Sequence, residues 1–373
     1  MKGFIRHLDK FKSVQITPHE YGSLIQDIQT NYNTYQIGPI PSTPLHITLP
    51  KVSKISKTID ISIENIHDII HLIDNNPFES QYEYNIDLEA LHRIRGELCA
   101  IDNMIGLHSL KQSLLDQLLY FLQNLHKGGE GDFKHTVLMG PPGTGKTEIA
   151  KIIGTMYSKL GVLSNNIFKK VTRSDLVAGY LGQTSIKTQK LIESCLGGVL
   201  FIDEAYSLGD PSQSDVFSKE CIDTLCESLS NHKENLMVII AGYEDALNNC
   251  FFNMNQGLES RFLWRFKMDP YSPKELQEIF IKKVDDNGWS VSNPENNDLL
   301  TCKWFERRKE YFLHYGRDIE GLFTYSKIAH GRRIYGKSSE IKKCLVLYDL
   351  EKGFQEFLKH KGAKKLVLYD MYL

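Results

Sequence analysis

Eight residues carry the most specific chemistry in the chain: Gly140, Pro141, Pro142, Gly143, Thr144, Gly145, Lys146 and Thr147. Their spacing is G-x-x-x-x-G-K-[ST], the pattern of a loop that cradles phosphates. The glycines let the backbone curl so that successive N–H groups point at one phosphate chain. The helix that follows adds the partial positive charge of its N-terminus. Lys146 can reach β- and γ-phosphates, and Thr147 can offer a hydroxyl to Mg²⁺. Glu148, in the first helical turn, completes this candidate set. A second signal is Asp203-Glu204, which ends the apolar run Gly198-Val199-Leu200-Phe201-Ile202. In a phosphate-loop enzyme such an Asp holds the metal's water shell, and the adjacent Glu polarises an attacking water.

These groups need elements to position them. Val137-Leu138-Met139 before the loop reads as a strand, and Ile149, Ile152, Ile153 and Met156 after it form one helical face. The run before Asp203 is continuous and apolar, as in a central parallel strand, and its acids fall at the C-terminal edge where open α/β sheets bind ligands. Ile167 to Val171, Leu236 to Ala241 and Trp264 to Met268 supply three more strands. The residue beyond Ala241 should face the γ-phosphate, and the chain offers Gly242-Tyr243-Glu244-Asp245 there. Arg261 and Arg265 are candidates for a cation that completes a neighbour's site, although a lone arginine is commonly a solvated charge. In Ala178-Gly179-Tyr180-Leu181-Gly182-Gln183-Thr184, pattern alone would turn Tyr180 and Leu181 inward.

The remaining chain is organised around this block. Six of the twelve prolines fall before residue 86, and Pro39-Ile40-Pro41 with Pro44 reads as an extended linker. Ile47 and Leu49 alternate as in a strand, and Ser62 is a candidate cap for a helix carrying Ile63, Ile66, Ile69, Ile70 and Ile73. Asp87 starts another helical pattern. Leu110, Leu114, Leu118, Leu122 and Leu125 drift off a heptad seam and predict a core helix rather than a zipper. Lys127 to Asp132 reads as an exposed loop. Ser272-Pro273-Lys274-Glu275 opens a helix with a cap, a first-turn proline and an acid. Gly316-Arg317-Asp318 opens another. The divisions are 1–86, an adaptor or packing extension; 87–268, a nucleotide-binding α/β domain; and 269–373, a helical domain.

Whole-chain properties exclude several classes. A formal charge of -2 gives no basic field for nucleic acid. No apolar run approaches a membrane span, and the acids and lysines after Met1 do not read as a signal peptide. Seven cysteines without C-x-x-C suit a reducing, cytoplasmic or other intracellular setting. The histidines lack metal-ligand spacing.

From about Ile105 to Arg317 the chain resembles AAA+ ATPases, and within them the CbbX/SpoVK-like group. The agreement is densest in Val171-Thr172-Arg173-Ser174-Asp175-Leu176-Val177, Tyr180-Leu181-Gly182-Gln183-Thr184, Lys187-Thr188 and Gly197 through Tyr206, with Ala241-Gly242-Tyr243. The resemblance implies an α/β fold: a parallel sheet flanked by helices, a small all-helical lid and, here, an N-terminal extension. It also implies ATP and Mg²⁺ as cofactors and a homo-oligomeric ring, a hexamer, acting on a protein client. Tyr180, Leu181 and Gly182 look like the pore loop that grips polypeptide. Arg261 looks like the arginine finger, Arg317 like sensor 2, and Ile105-Gly106 like the adenine-pocket lining. Where sensor 1 is usually Asn, Thr or Ser, Tyr243 stands. Two other readings stay open: a nucleic-acid-acting motor, favoured by the basic stretches after Arg307, and a nucleotide-gated scaffold with little hydrolysis.

Overall fold

The computed structural model describes residues 54–127, 132–180, 182–209, 215–291, 302–337 and 342–361, with the backbone of 14–16 and 45–47. The proline-rich linker, Leu181 and residues 128–131 of the expected loop lie outside the described residues. The chain divides into two compact units, one of residues 1–58 with 79–83, the other of 59–78 with 84–373. In the first, Val14–Ile16 pairs antiparallel with Leu45–Ile47.

The second unit is built on five parallel strands: β1 (Thr136–Met139), β2 (Phe168–Val171), β3 (Val199–Ile202), β4 (Met237–Gly242) and β5 (Trp264–Lys267). Their order is β2-β3-β4-β1-β5. β1, β3 and β4 are buried on both faces, which is why they read as unbroken apolar runs. Alternate side chains serve two cores. Leu138, Phe201 and Ile239 join α4 (Lys146–Lys159) on one face. Val137, Leu200, Ile202, Val238 and Ile240 join α5 (Thr184–Glu193) and α6 (Val216–Asn231) on the other.

The first core also holds three helices that precede the sheet: α1 (Ile66–Asn75), α2 (Leu88–Asp102) and α3 (His108–Leu122). Asn65, not Ser62, caps α1, through a reciprocal capping box with Asp68. Ile66, Ile69, Leu72 and Ile73 then bury in the sheet-bearing core. An apolar stripe this complete is used for burial, and residues 59–78 belong to the sheet-bearing unit. Leu110, Leu114 and Leu118 are buried as a core helix requires, whereas Leu125 lies past the helix end and is exposed.

After the sheet come α7 (Pro273–Asp286), α8 (Tyr315–Ile334) and α9 (Leu347–His360). Their core is aromatic, with Phe280, Phe305, Phe312, Phe323 and Phe354. α8 and α9 are joined by buried Asp349, which accepts from Arg333 Nε at 2.8 Å and pairs with His330 Nδ1 at 3.0 Å. Among the described residues no helix is long and apolar enough to cross a membrane.

His135 sits just ahead of β1, fully buried. Its Nδ1 accepts from Val238 N–H at 3.1 Å, and its Nε2 bonds the Leu229 carbonyl at 3.2 Å. Burial pushes its pKa down to about 3. The folded protein keeps this ring neutral, so below pH ~6.5 only the unfolded chain takes up the proton. The stability is present above pH ~6.5 and is lost as pH falls, by up to about 1.4 kcal/mol per pH unit. Urea unfolding at pH 7.5, 6 and 5 should show this slope in wild type and a shallower one in His135→Gln. Equal slopes would contradict it.

Candidate active site

The phosphate loop joins β1 to α4. Gly143 and Gly145 hold φ of +75° and +92°, in the region that side-chain-bearing residues avoid. Gly145 precedes α4 without any side-chain cap, so the first-turn N–H groups keep their capacity for an anion. Buried Thr144 turns its hydroxyl back on the Pro141 carbonyl at 2.9 Å, fixing the loop rather than facing outward. Lys146 Nζ reaches the carbonyls of Gly140 (2.9 Å) and Pro141 (2.6 Å). Burial lowers its pKa, and the Asp203 carboxylate opposes that shift. Thr147 is half-buried one residue on, and Glu148 is exposed.

β3 delivers Asp203 to the same edge. Glu204 follows at φ +52°, a left-handed conformation that costs a non-glycine residue roughly 1–2 kcal/mol and is typical of functional turns. Asp203 Oδ2 pairs with Lys170 Nζ at 2.6 Å. Tyr243, at the end of β4, stands 5.7 Å from the Tyr206 ring, with Lys146 Nζ 5.9 Å from its centroid. The position expected to face the phosphates is thus beside the loop lysine, although it carries a phenol.

The helical region closes on the loop. Gly316 N–H donates to the Gly143 carbonyl at 3.0 Å. A Cβ on Gly143 would fall 2.0 Å from the His314 carbonyl oxygen, and one on Gly316 would fall 2.7 Å from the Gly143 oxygen. Arg317 is exposed on the first turn of α8, close enough that its charge lowers the Lys146 pKa. Asp318 accepts from His314 N–H at 2.7 Å and from Lys361 Nζ at 2.6 Å, tying the start of α8 to the end of α9. Half-buried Ile105 precedes Gly106 (φ +64°), where a Cβ would lie 2.3 Å from Glu275 Oε1. Tyr271 donates its hydroxyl to the Thr144 carbonyl at 3.2 Å. Ile105-Gly106, the phosphate loop and the starts of α7 and α8 therefore meet in one place.

Tyr271, Gly316 and Lys170 were not singled out for these contacts from sequence. Glycine before Arg317 was the available signal for one, and a lysine on the strand beside Asp203 for another. Two other predicted residues lie elsewhere. Tyr180 is 74% exposed. Its loop is pinned beneath it: Ala178 N–H bonds Thr184 Oγ1 at 3.2 Å, Gln183 N–H bonds the Tyr180 carbonyl at 3.3 Å, and Lys187 Nζ bonds the Ser174 and Val177 carbonyls. Gly182 is left-handed at φ +76°. For Tyr180 the inward packing expected from pattern alone does not occur. Arg261 ends the short helix Gln256–Arg261 and donates to Ser230 Oγ at 2.7 Å and to the Gly257 carbonyl. Arg265 pairs with Glu259 and stacks on Phe252.

Residues 136–266 match the family model of the ATPase family associated with various cellular activities (AAA). The chain is 41% identical over 291 residues to a putative cfxQ-like protein of Acanthamoeba polyphaga mimivirus, covering 78% of this chain and 71% of that one. It belongs to the AAA+ ATPases, in the CbbX/SpoVK-like group. Protein CbbX of Cereibacter sphaeroides is 32% identical, over 70% of this chain and 83% of that protein. The fold is shared with the FIGL-1 AAA domain solved in complex with ADP, at TM-score 0.50 and 21% identity, over 67% of this chain and 82% of that one. The nucleotide-binding ATPase thus pairs its phosphate loop with a helical lid that touches it.

The two loop glycines separate two effects. Gly143→Ala meets both forbidden φ and the His314 carbonyl, whereas Gly145→Ala meets strain alone, with nothing within 4 Å of its Cβ. Fluorescent-nucleotide titration should show Gly143→Ala losing more than about 100-fold in affinity, and Gly145→Ala roughly tenfold, from strain of about 1–2 kcal/mol. Equal losses would mean that the lid does not rest on the loop.

Proposed function

We propose that this ATPase assembles into a ring, a hexamer, that uses Mg·ATP hydrolysis to remodel a polypeptide client drawn through a central channel. The observation that supports it most is Tyr180, an aromatic held out into solvent on a loop whose base is rigid. A ring presented this way can stack on, or make apolar contact with, an extended chain.

The chain's own residues divide the chemistry. The N–H groups of residues 143–147 and Lys146 bind the phosphates. Thr147 and Asp203 are oxygen donors at the same edge and fit a hard divalent cation, which when bound supplies charge to the phosphate oxygens. Glu204, aimed by its left-handed turn, takes a proton from water as the nucleophile forms. Arg261 of one subunit, released from Ser230, stabilises charge at the neighbour's nucleotide, a contribution of about 10³–10⁵ in rate. Arg317 and the Gly316–Gly143 hydrogen bond carry nucleotide state into the lid, and lid rotation moves Tyr180. Ile105 and Gly106 line the base-binding side. Seven free thiols suit a reducing compartment.

Glu204→Gln should bind nucleotide within about threefold of wild type and hydrolyse it at least ~10²-fold more slowly. For the client reading, turnover is measured with reduced, carboxymethylated α-lactalbumin, a permanently unfolded protein. Wild type should be stimulated, and Tyr180→Ala, at unchanged melting temperature, should show a stimulation factor near one. Stimulation by single-stranded DNA but not by unfolded protein would overturn the reading.

A further inference from the structure

Lys170 sits on the edge strand β2, opposite Phe201 in the register with β3. Its side chain runs toward the C-terminal edge of the sheet, with Nζ 5.9 Å from the Phe201 ring centroid and 2.6 Å from Asp203 Oδ2. The preceding residue, Lys169, bonds Ser194 Oγ at 3.0 Å, as strand alternation requires. One of two adjacent lysines is therefore committed to the acidic end of β3 and the other is not.

The pair is asymmetric. The Asp203 side chain is 21% exposed and that of Lys170 is 45% exposed. The carboxylate is the partner that needs a cation, because burial penalises an unpaired charge. The lysine has the freer tip and can swing into water at little cost. We propose that Lys170 is the resident counter-ion of Asp203 and competes with the divalent cation for that carboxylate. The ammonium holds the aspartate in place before nucleotide arrives, and it yields when a doubly charged ion with a preference for oxygen ligands takes over. Lys170 thereby sets how much Mg²⁺ the site requires. This rests on the reading of Asp203 as the residue that serves the metal.

The test reads metal affinity, not turnover. Full-length protein with bound fluorescent mant-ADP is titrated with Mg²⁺ from a chelated start. Partly exposed ion pairs shift equilibria by about two- to fivefold. Lys170→Met should lower the Mg²⁺ concentration at half-effect by that factor. Lys170→Arg, which can re-form the pair, should stay near wild type, and so should Lys169→Met, which removes an equal charge from the neighbouring residue. An unchanged midpoint in Lys170→Met, or equal shifts in Lys170→Met and Lys169→Met, would overturn the proposal. Asp203→Asn separates the two layers. If it abolishes the Mg²⁺ response while Lys170→Met does nothing, only the counter-ion role fails; if it leaves the response intact, the metal reading of Asp203 fails with it.

Discussion

A backbone hydrogen bond ties the helical region to the phosphate loop: Gly316 N–H to the Gly143 carbonyl. It brings the first turn of α8 onto the phosphate loop with no room for a Cβ on either residue. Much of the local structure follows from that contact. Asp318 and Lys361 hold the start of α8 in place, and Tyr271 braces the loop through the Thr144 carbonyl. A change in the loop's conformation would therefore be felt first at the start of α8. The remodelling activity proposed above needs a coupling between chemistry and rigid-body motion.

The site also concentrates cations. Lys146 lies within electrostatic reach of Asp203, Glu204 and Arg317, and Lys170 pairs with Asp203. The repulsion between Lys146 and Arg317 is one that a bound polyanion would relieve. Glu204 stands at the same edge in a left-handed turn, a conformation that a side chain resists.

Most of the sheet was legible, for a physical reason. β1, β3 and β4 are buried on both faces, so their strands are uniformly apolar and stand out in the sequence. The phosphate loop was legible because its backbone geometry demands glycine at fixed intervals. What escaped was long-range. Nothing near residue 66 says that its isoleucines share a core with α2 and α3. Nothing in Lys170 or Tyr271 reveals a partner over 30 or 120 residues away in sequence. Tyr180 shows the opposite failure: its apolarity argued for burial, and its ring stands exposed.

Arg261 is bonded within its own chain to Ser230 and Gly257, whereas the account gives it work at a neighbour's nucleotide. ATP turnover per subunit, measured with Mg²⁺ across protein concentration and alongside the mass of the particle, decides between these. The account predicts a per-subunit rate that climbs and saturates as mass rises from monomer to closed assembly, with Arg261→Ala flat and low throughout. A constant, appreciable rate at concentrations where the particle is monomeric would contradict it.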